Sequence, residues 1–220
     1  MTKIFISVEG QTEETFVTEV LKPYFEPQQL YLIPVLVKTR RMPNAPDFRG
    51  GFVPYRKVKK ELQGLLGDTS AAAVSTMYDF YALGRDFPGM DTIPNGSGRD
   101  RVAHLEQFLL GDIDSRRFRP YLQLHEFESF LFVDVETTAN LLLGDNNALQ
   151  ELQNINRQFP TPEEIDDDPN SAPSKRIERI FPEYQKVLDG PLITIEVGLE
   201  KLRTTCAHFN AWLTWLESLV

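Results

Sequence analysis

Short apolar runs alternate with amphipathic segments along this chain, and that alternation restricts its architecture more than any other feature. Residues 3–9 read as a strand whose body is Ile4-Phe5-Ile6-Ser7-Val8, broken by Gly10 into a helix. The helix, over 12–25, carries Phe16, Val20 and Leu21 at helical spacing. Thr12 is its expected N-cap, with Glu13 and Glu14 in the first turn, where the helix dipole favours acids. A second strand follows over 30–37, then a polar, glycine-containing stretch over 38–52. Next come a helix over 54–66 with Val58, Leu62 and Leu65 on one face, and a third strand over 71–78 that ends at Asp79. A Gly- and Pro-rich loop over 83–98 leads to a helix over 101–110 and a fourth strand over 118–124.

The order β-α-β-α-β-α-β predicts an α/β fold, a mostly parallel sheet flanked by helices. After Leu124 the pattern turns helical, with a break over 160–173. Leu199, Leu202, Phe209, Trp212, Leu213, Leu216 and Leu219 recur at helical spacing, so the tail is expected to pack an apolar face on what precedes it. This divides the chain into an α/β domain over 1–135 and a helical C-terminal elaboration over 136–220. At 220 residues it can bury a substantial core.

Composition narrows the function classes. The formal net charge of −9 opposes tight non-specific binding to nucleic acid, so a polyanionic substrate needs a local basic patch, bound cations or a partner. Cys206 is the single cysteine, which excludes an intramolecular disulfide and a thiolate zinc site, and its apolar surroundings predict a buried structural thiol. No apolar run reaches the roughly 18 residues that a membrane span requires, and the first residues lack a signal-peptide layout. The expectation is a cytoplasmic protein with no membrane association.

Three acidic features fall at strand ends that such a sheet brings to one edge. Glu9 ends the first strand, Asp79 the third, and His125-Glu126-Phe127-Glu128 follows the fourth. Parallel strands share the edge at which their C-terminal ends lie, and α/β folds place ligands there. Converging carboxylates suit a hard divalent cation, Mg2+ or Mn2+, so Glu9, Asp79, Glu126 and Glu128 are the candidate ligands. Glu126 and Glu128 share a face only if their segment is extended; in a helix at most one points into the site. His125 is read as a general base, a ligand or a structural hydrogen-bonder, and Tyr78 and Tyr81 as packing or stacking residues. The Asp166-Asp167-Asp168 run, flanked by prolines, reads as a solvated loop and is left out of the site. Lys38, Arg40, Arg41 and Arg49 leave the same sheet edge as Glu9 and are the candidate phosphate-binding residues.

Val8-Glu9-Gly10-Gln11-Thr12-Glu13 resembles the first motif of TOPRIM domains, particularly those of overcoming-lysogenization-defect nucleases. Thr76-Met77-Tyr78-Asp79-Phe80-Tyr81 and Leu124-His125-Glu126-Phe127-Glu128-Ser129-Phe130-Leu131 resemble, more narrowly, a TOPRIM-like domain-of-unknown-function family numbered 4276. The tail is similar too, at Pro173-Ser174-Lys175-Arg176-Ile177, Arg203 to Cys206, Phe209 and Trp212. The resemblance implies a TOPRIM-like fold and a magnesium-dependent nuclease in phage or mobile-element defence, often beside an AAA- or ABC-type ATPase. TOPRIM enzymes use a Glu and an Asp-x-Asp pair, and Tyr81 stands here at the second Asp position. The lysogenization-type nucleases carry a further acid after the next strand, a place that Glu126 or Glu128 fills.

Two functions follow as expectations. The first is a metal-dependent phosphodiesterase acting on DNA or RNA, with Glu9, Asp79, His125, Glu126 and Glu128 as its catalytic set. The second is a TOPRIM-like module that has lost catalysis and serves as a partner-binding or sensing subunit of an ATPase-containing defence system.

Overall fold

The computed structural model describes residues 2–37, 54–165 and 171–220. Lys38, Arg40, Arg41, Arg49 and the Asp166-Asp167-Asp168 run lie outside the described residues.

Strand β1 (Thr2–Val8) is followed by helix α1 (Gln11–Phe16), a π-helical turn (Val17–Leu21) and α2 (Lys22–Phe25). The helix starts earlier than Thr12, which lies inside α1. Gly10 is the N-cap, and its N–H donates to Glu13 Oε2 at 2.9 Å, so the acid three residues on supplies the cap that Thr12 was expected to provide. Pro23 has no N–H to return to the carbonyl four residues back, and the preceding π turn accommodates that loss. Strand β2 (Leu30–Leu36), α3 (Tyr55–Gly67) and β3 (Ala71–Asp79) then follow. Helix α4 (Gly98–Ile113) begins earlier than its apolar periodicity, because Ser97 and Asp100 form a reciprocal capping box.

The expected fourth strand is two short pieces, β4 (Phe118–Arg119) and β5 (Leu122–Gln123), both parallel to β3. Pro120 lies between them and cannot donate to a ladder. Thr76 Oγ1 fills the gap from β3: it accepts the Tyr121 N–H and donates to the Tyr121 carbonyl, both at 2.9 Å. The strand order is β2-β1-β3-β4, with β5 also on β3, and every described pairing is parallel. Among the described residues six helices follow β5, interspersed with 3-10 turns: α5 (Val135–Leu141), α6 (Asn146–Asn156), α7 (Pro173–Ile180), α8 (Lys186–Val197), α9 (Leu199–Thr205) and α10 (Ala207–Glu217), preceded by a 3-10 segment over Phe127–Phe132.

Both faces of the sheet are covered, as parallel sheets require. On one face Phe5, Val74 and Tyr78 meet Val58 and Leu62 of α3 and Val102, Leu105 and Leu109 of α4. On the other, Ile4, Ile6, Val8, Ala73 and Met77 meet α1 and the tail helices. Phe209 of α10 packs against Phe16 and Phe130, and Trp212 stacks on Tyr121 with ring centroids 4.3 Å apart. Trp212 Nε1 donates to Ser75 Oγ at 2.9 Å, so the tail is bonded to β3 itself. The helical elaboration thus shares one hydrophobic cluster with β1 and β3, and Cys206 is buried within it.

Candidate functional site

Register decides where the acids lie. Val8 pairs with Met77, so Glu9 leaves β1 beside the end of β3, where Asp79 pairs with Gln123 of β5. The Asp79 N–H donates to Glu9 Oε2 at 3.2 Å, which joins the two strand-end acids directly. Glu9 and Asp79 are therefore neighbours on one edge of a parallel sheet, as their strand-then-acid pattern requires.

Glu126 and Glu128 take different positions on that edge. Glu126 is extended and half-buried, and its Oε2 accepts the Ser174 N–H at 3.0 Å, at the start of α7, where helix amides favour a negative charge. Glu128 lies inside the 3-10 segment and is fully buried. Its two oxygens accept from Lys186 Nζ at 3.0 Å and from the Tyr184 hydroxyl at 3.3 Å. Lys186 Nζ also lies 3.4 Å from Asp79 Oδ2. The other oxygen of Asp79, Oδ1, is buried without a hydrogen-bond partner among the described residues.

His125 has left-handed backbone geometry, φ 59°, and its carbonyl accepts the Tyr81 N–H at 3.1 Å. The ring is buried beside Tyr81 and Phe80 and against the backbone of Gly98, where an added Cβ would stand 2.7 Å from the ring. Glycine at the start of α4 is thus what makes room for this imidazole. Tyr78 is a packing residue, and its buried hydroxyl donates to Ser7 Oγ at 2.6 Å.

Three members of the site escape a search for strand-end acids. Glu13 is 3% exposed and joins the cluster from the first turn of α1. The Glu-Gly-x-x-Glu spacing carries its signal, since a glycine N-cap leaves the third helical residue folded back toward the strand end. Lys186 and Tyr184 lie 58 and 56 residues after Glu128, and Lys186 lies 107 after Asp79, so nothing local marks them.

The electrostatics of the cluster follow from burial. Burial, reinforced by Glu13, pushes Glu9 up to about 7. Burial raises Asp79 well above the usual carboxylate range, with Glu13, Glu9 and Glu128 adding to it against the pull of Lys186. Glu13 and Glu128 are raised as well, again by burial first. Burial alone would lower the Lys186 ammonium, but Asp79, Glu128 and Glu13 outweigh it and raise its pKa. Among the described residues Lys186 is the one cation acting on all four acids.

Such a donor set, entirely carboxylate, suits Mg2+ or Mn2+ in kind. The unpartnered Asp79 Oδ1 is the acceptor most in need of a cation. As folded, however, no three His, Cys, Asp or Glu side chains among the described residues stand at the spacing a single ion requires. The Lys186 ammonium lies between Asp79 and Glu128 instead. No described helix is long and apolar enough to cross a membrane.

Residues 8–217 match the family model described as a domain of unknown function, DUF4276. No curated protein and no solved structure matches the chain.

Proposed function

This chain belongs to the DUF4276 family, and from its carboxylate edge we propose that it is a divalent-cation-dependent phosphodiesterase acting on nucleic acid. One observation carries the reading: four acids of raised pKa face one lysine at the C-terminal edge of a parallel sheet. Clustered like charges are costly, and a purely structural role does not call for more buried acids than cations. Perturbed titratable groups gathered at such an edge are the pattern of a working site.

In this reading Glu9, Asp79 and Glu128 hold the cation, with Glu13 and Glu126 shaping the field around it. A bound Mg2+ or Mn2+ supplies the charge that polarises a phosphate and acidifies water. Glu9 serves either as a ligand or, in place of that, as the general base, and the hydrogen bond from the Asp79 N–H fixes its carboxylate in both cases. Buried His125 is a positioning residue, holding Tyr81 and the start of α4. The nucleic-acid substrate is supported by the TOPRIM-like motifs and by Lys38, Arg40, Arg41 and Arg49 in the stretch after β2. An ATPase partner in phage or mobile-element defence belongs to the same proposal, and it would help an acidic protein engage a polyanion.

The test is cleavage of single- and double-stranded DNA and RNA by purified protein with Mg2+ or Mn2+, alone and with its genomic-neighbour ATPase. Glu9→Gln is expected to abolish cleavage while leaving binding nearly intact. Cleavage that survives Glu9→Gln would place the activity elsewhere. A second reading, a module that has lost catalysis, is favoured by the lysine lying between Asp79 and Glu128 and by Tyr81 at the second Asp position. It predicts that neither cation changes the melting curve at millimolar concentration.

A further inference from the structure

The acids that would hold a divalent cation already share a monovalent one, and its position is unusual. Lys186 is the first residue of α8, where the helix dipole disfavours a positive charge. What compensates it lies outside the helix: Glu128 at 3.0 Å and Asp79 at 3.4 Å. Its side chain is 41% exposed against 7% for Asp79 and none for Glu128, so it reaches the acids from the solvent side rather than from within the core. Gln185, the N-cap of α8, donates its N–H to Asp189 Oδ2 at 2.7 Å, which closes the first turn of the helix beside Lys186. Meanwhile Asp79 Oδ1 stays buried and unpartnered, an acceptor the ammonium does not reach.

We propose that Lys186 is a tethered counter-ion that occupies the place of the divalent cation and must withdraw for that cation to enter between Asp79 and Glu128. The proposal rests on reading the carboxylate edge as a cation site. Exchanging one positive charge for two improves the compensation of four acids and supplies a partner for Asp79 Oδ1. Lys186 needs no refolding to leave, because its side chain is partly exposed and its helix starts at that residue. The same ammonium keeps the acids from repelling one another in the metal-free protein. Cation entry and lysine withdrawal are then two sides of one exchange, and by linkage whatever holds Lys186 away tightens cation binding.

The experiment reads the lysine itself in the wild-type chain. Amine acetylation by a succinimidyl acetate, followed by mass spectrometry, is measured with and without Mn2+. Lys201, paired with Asp134 at the surface, serves as the internal reference. Acetylation of Lys186 relative to Lys201 is expected to rise several-fold with saturating Mn2+; an unchanged or reduced ratio overturns the exchange. Calorimetric titration of Mn2+ into Lys186→Met is expected to give binding tighter by about tenfold or more, and Lys186→Gln the same direction should Met fail to fold. Wild type that binds Mn2+ beside folded variants that bind no tighter would sink the exchange alone. No binding to wild type or variants at millimolar Mn2+ would sink both the exchange and the cation-site reading.

Discussion

Two clusters of acids and bases stand on opposite accounts in this molecule. In the tail, Arg203 meets Glu217 through two nitrogens, one of them at 2.9 Å from Oε2, and Tyr24 donates to the same carboxylate at 2.7 Å. The hydrogen bonds from Arg203 hold the Glu217 carboxyl below its ordinary value. At the sheet edge, Lys186 serves Asp79, Glu128, Glu13 and Glu9 together, and all four are raised. One cluster is balanced, partly exposed and stabilised by being charged. The other is buried, short of positive charge and held together at a cost. The first kind of cluster ties α2 to α9 and α10; the second is the perturbed pattern on which the proposed cation site rests.

The largest effects should separate the clusters by activity. Asp79→Asn is expected to lower cation-dependent cleavage by about 1000-fold, the scale on which losing several kcal/mol of charge stabilisation is felt, whereas Glu217→Gln should leave cleavage unchanged. Equal rates for both variants would erase the distinction. Trp212→Ala, which affects neither set of charges, should cost about 3–5 kcal/mol in denaturant unfolding, because it empties the stack on Tyr121 and leaves Ser75 without its donor. A cost well under 1 kcal/mol would mean that the tail does not hold the sheet.

The pH dependence sharpens the contrast. A carboxyl whose folded pKa is raised binds more protons folded than unfolded, so its contribution falls as pH rises from its ordinary value through the folded one. For Glu9 that window runs from 4.5 to about 7, and the metal-free protein should lose about 3 kcal/mol or less through this group across it. Glu217 has the opposite sign: its stabilisation is present above the ordinary carboxylate value and is lost as pH falls below it. Metal-free stability that rises between pH 5 and pH 8 would contradict the raised cluster.

Smaller, and opposite in sign, are the effects of neutralising single acids. Asp79→Asn should raise metal-free stability by about 1–2 kcal/mol, since it removes one of several acids competing for Lys186. Glu217→Gln should lower it by about 1 kcal/mol or less, as for a partly exposed ion pair. Thermal unfolding in chelator measures both, and a shared sign would break the comparison.

The sequence made some of this legible for definite reasons. Glu9 and Asp79 stand out because a strand-ending acid before a break is a local pattern, and parallel pairing then brings them together. The β-α alternation is local too, as is the helical spacing of Leu202, Phe209, Trp212 and Leu216. The fourth strand is expected unbroken over 118–124; Pro120 interrupts it, and the rescue of that gap depends on Thr76, 45 positions before the Tyr121 it bonds, which no local pattern shows. The N-cap was misplaced at Thr12 because a capping glycine carries no side-chain signal; the Glu13 carboxylate supplies the bond instead. Glu126 and Glu128 parted company because the chain turns 3-10 between them, which periodicity over two residues cannot foretell. Lys186 is the plainest omission. It is brought to Asp79 by a helix 107 positions on, and only tertiary packing puts it there.

The central claim is that the carboxylate edge is a cation site, and titrating Mn2+ into metal-free wild type and Asp79→Asn by calorimetry tests it most directly. The account predicts saturable binding to wild type and at least about tenfold weaker binding to Asp79→Asn, the loss expected when a ligating carboxylate becomes an amide. Equal affinities for the two proteins, or no binding by either at millimolar Mn2+, would contradict it.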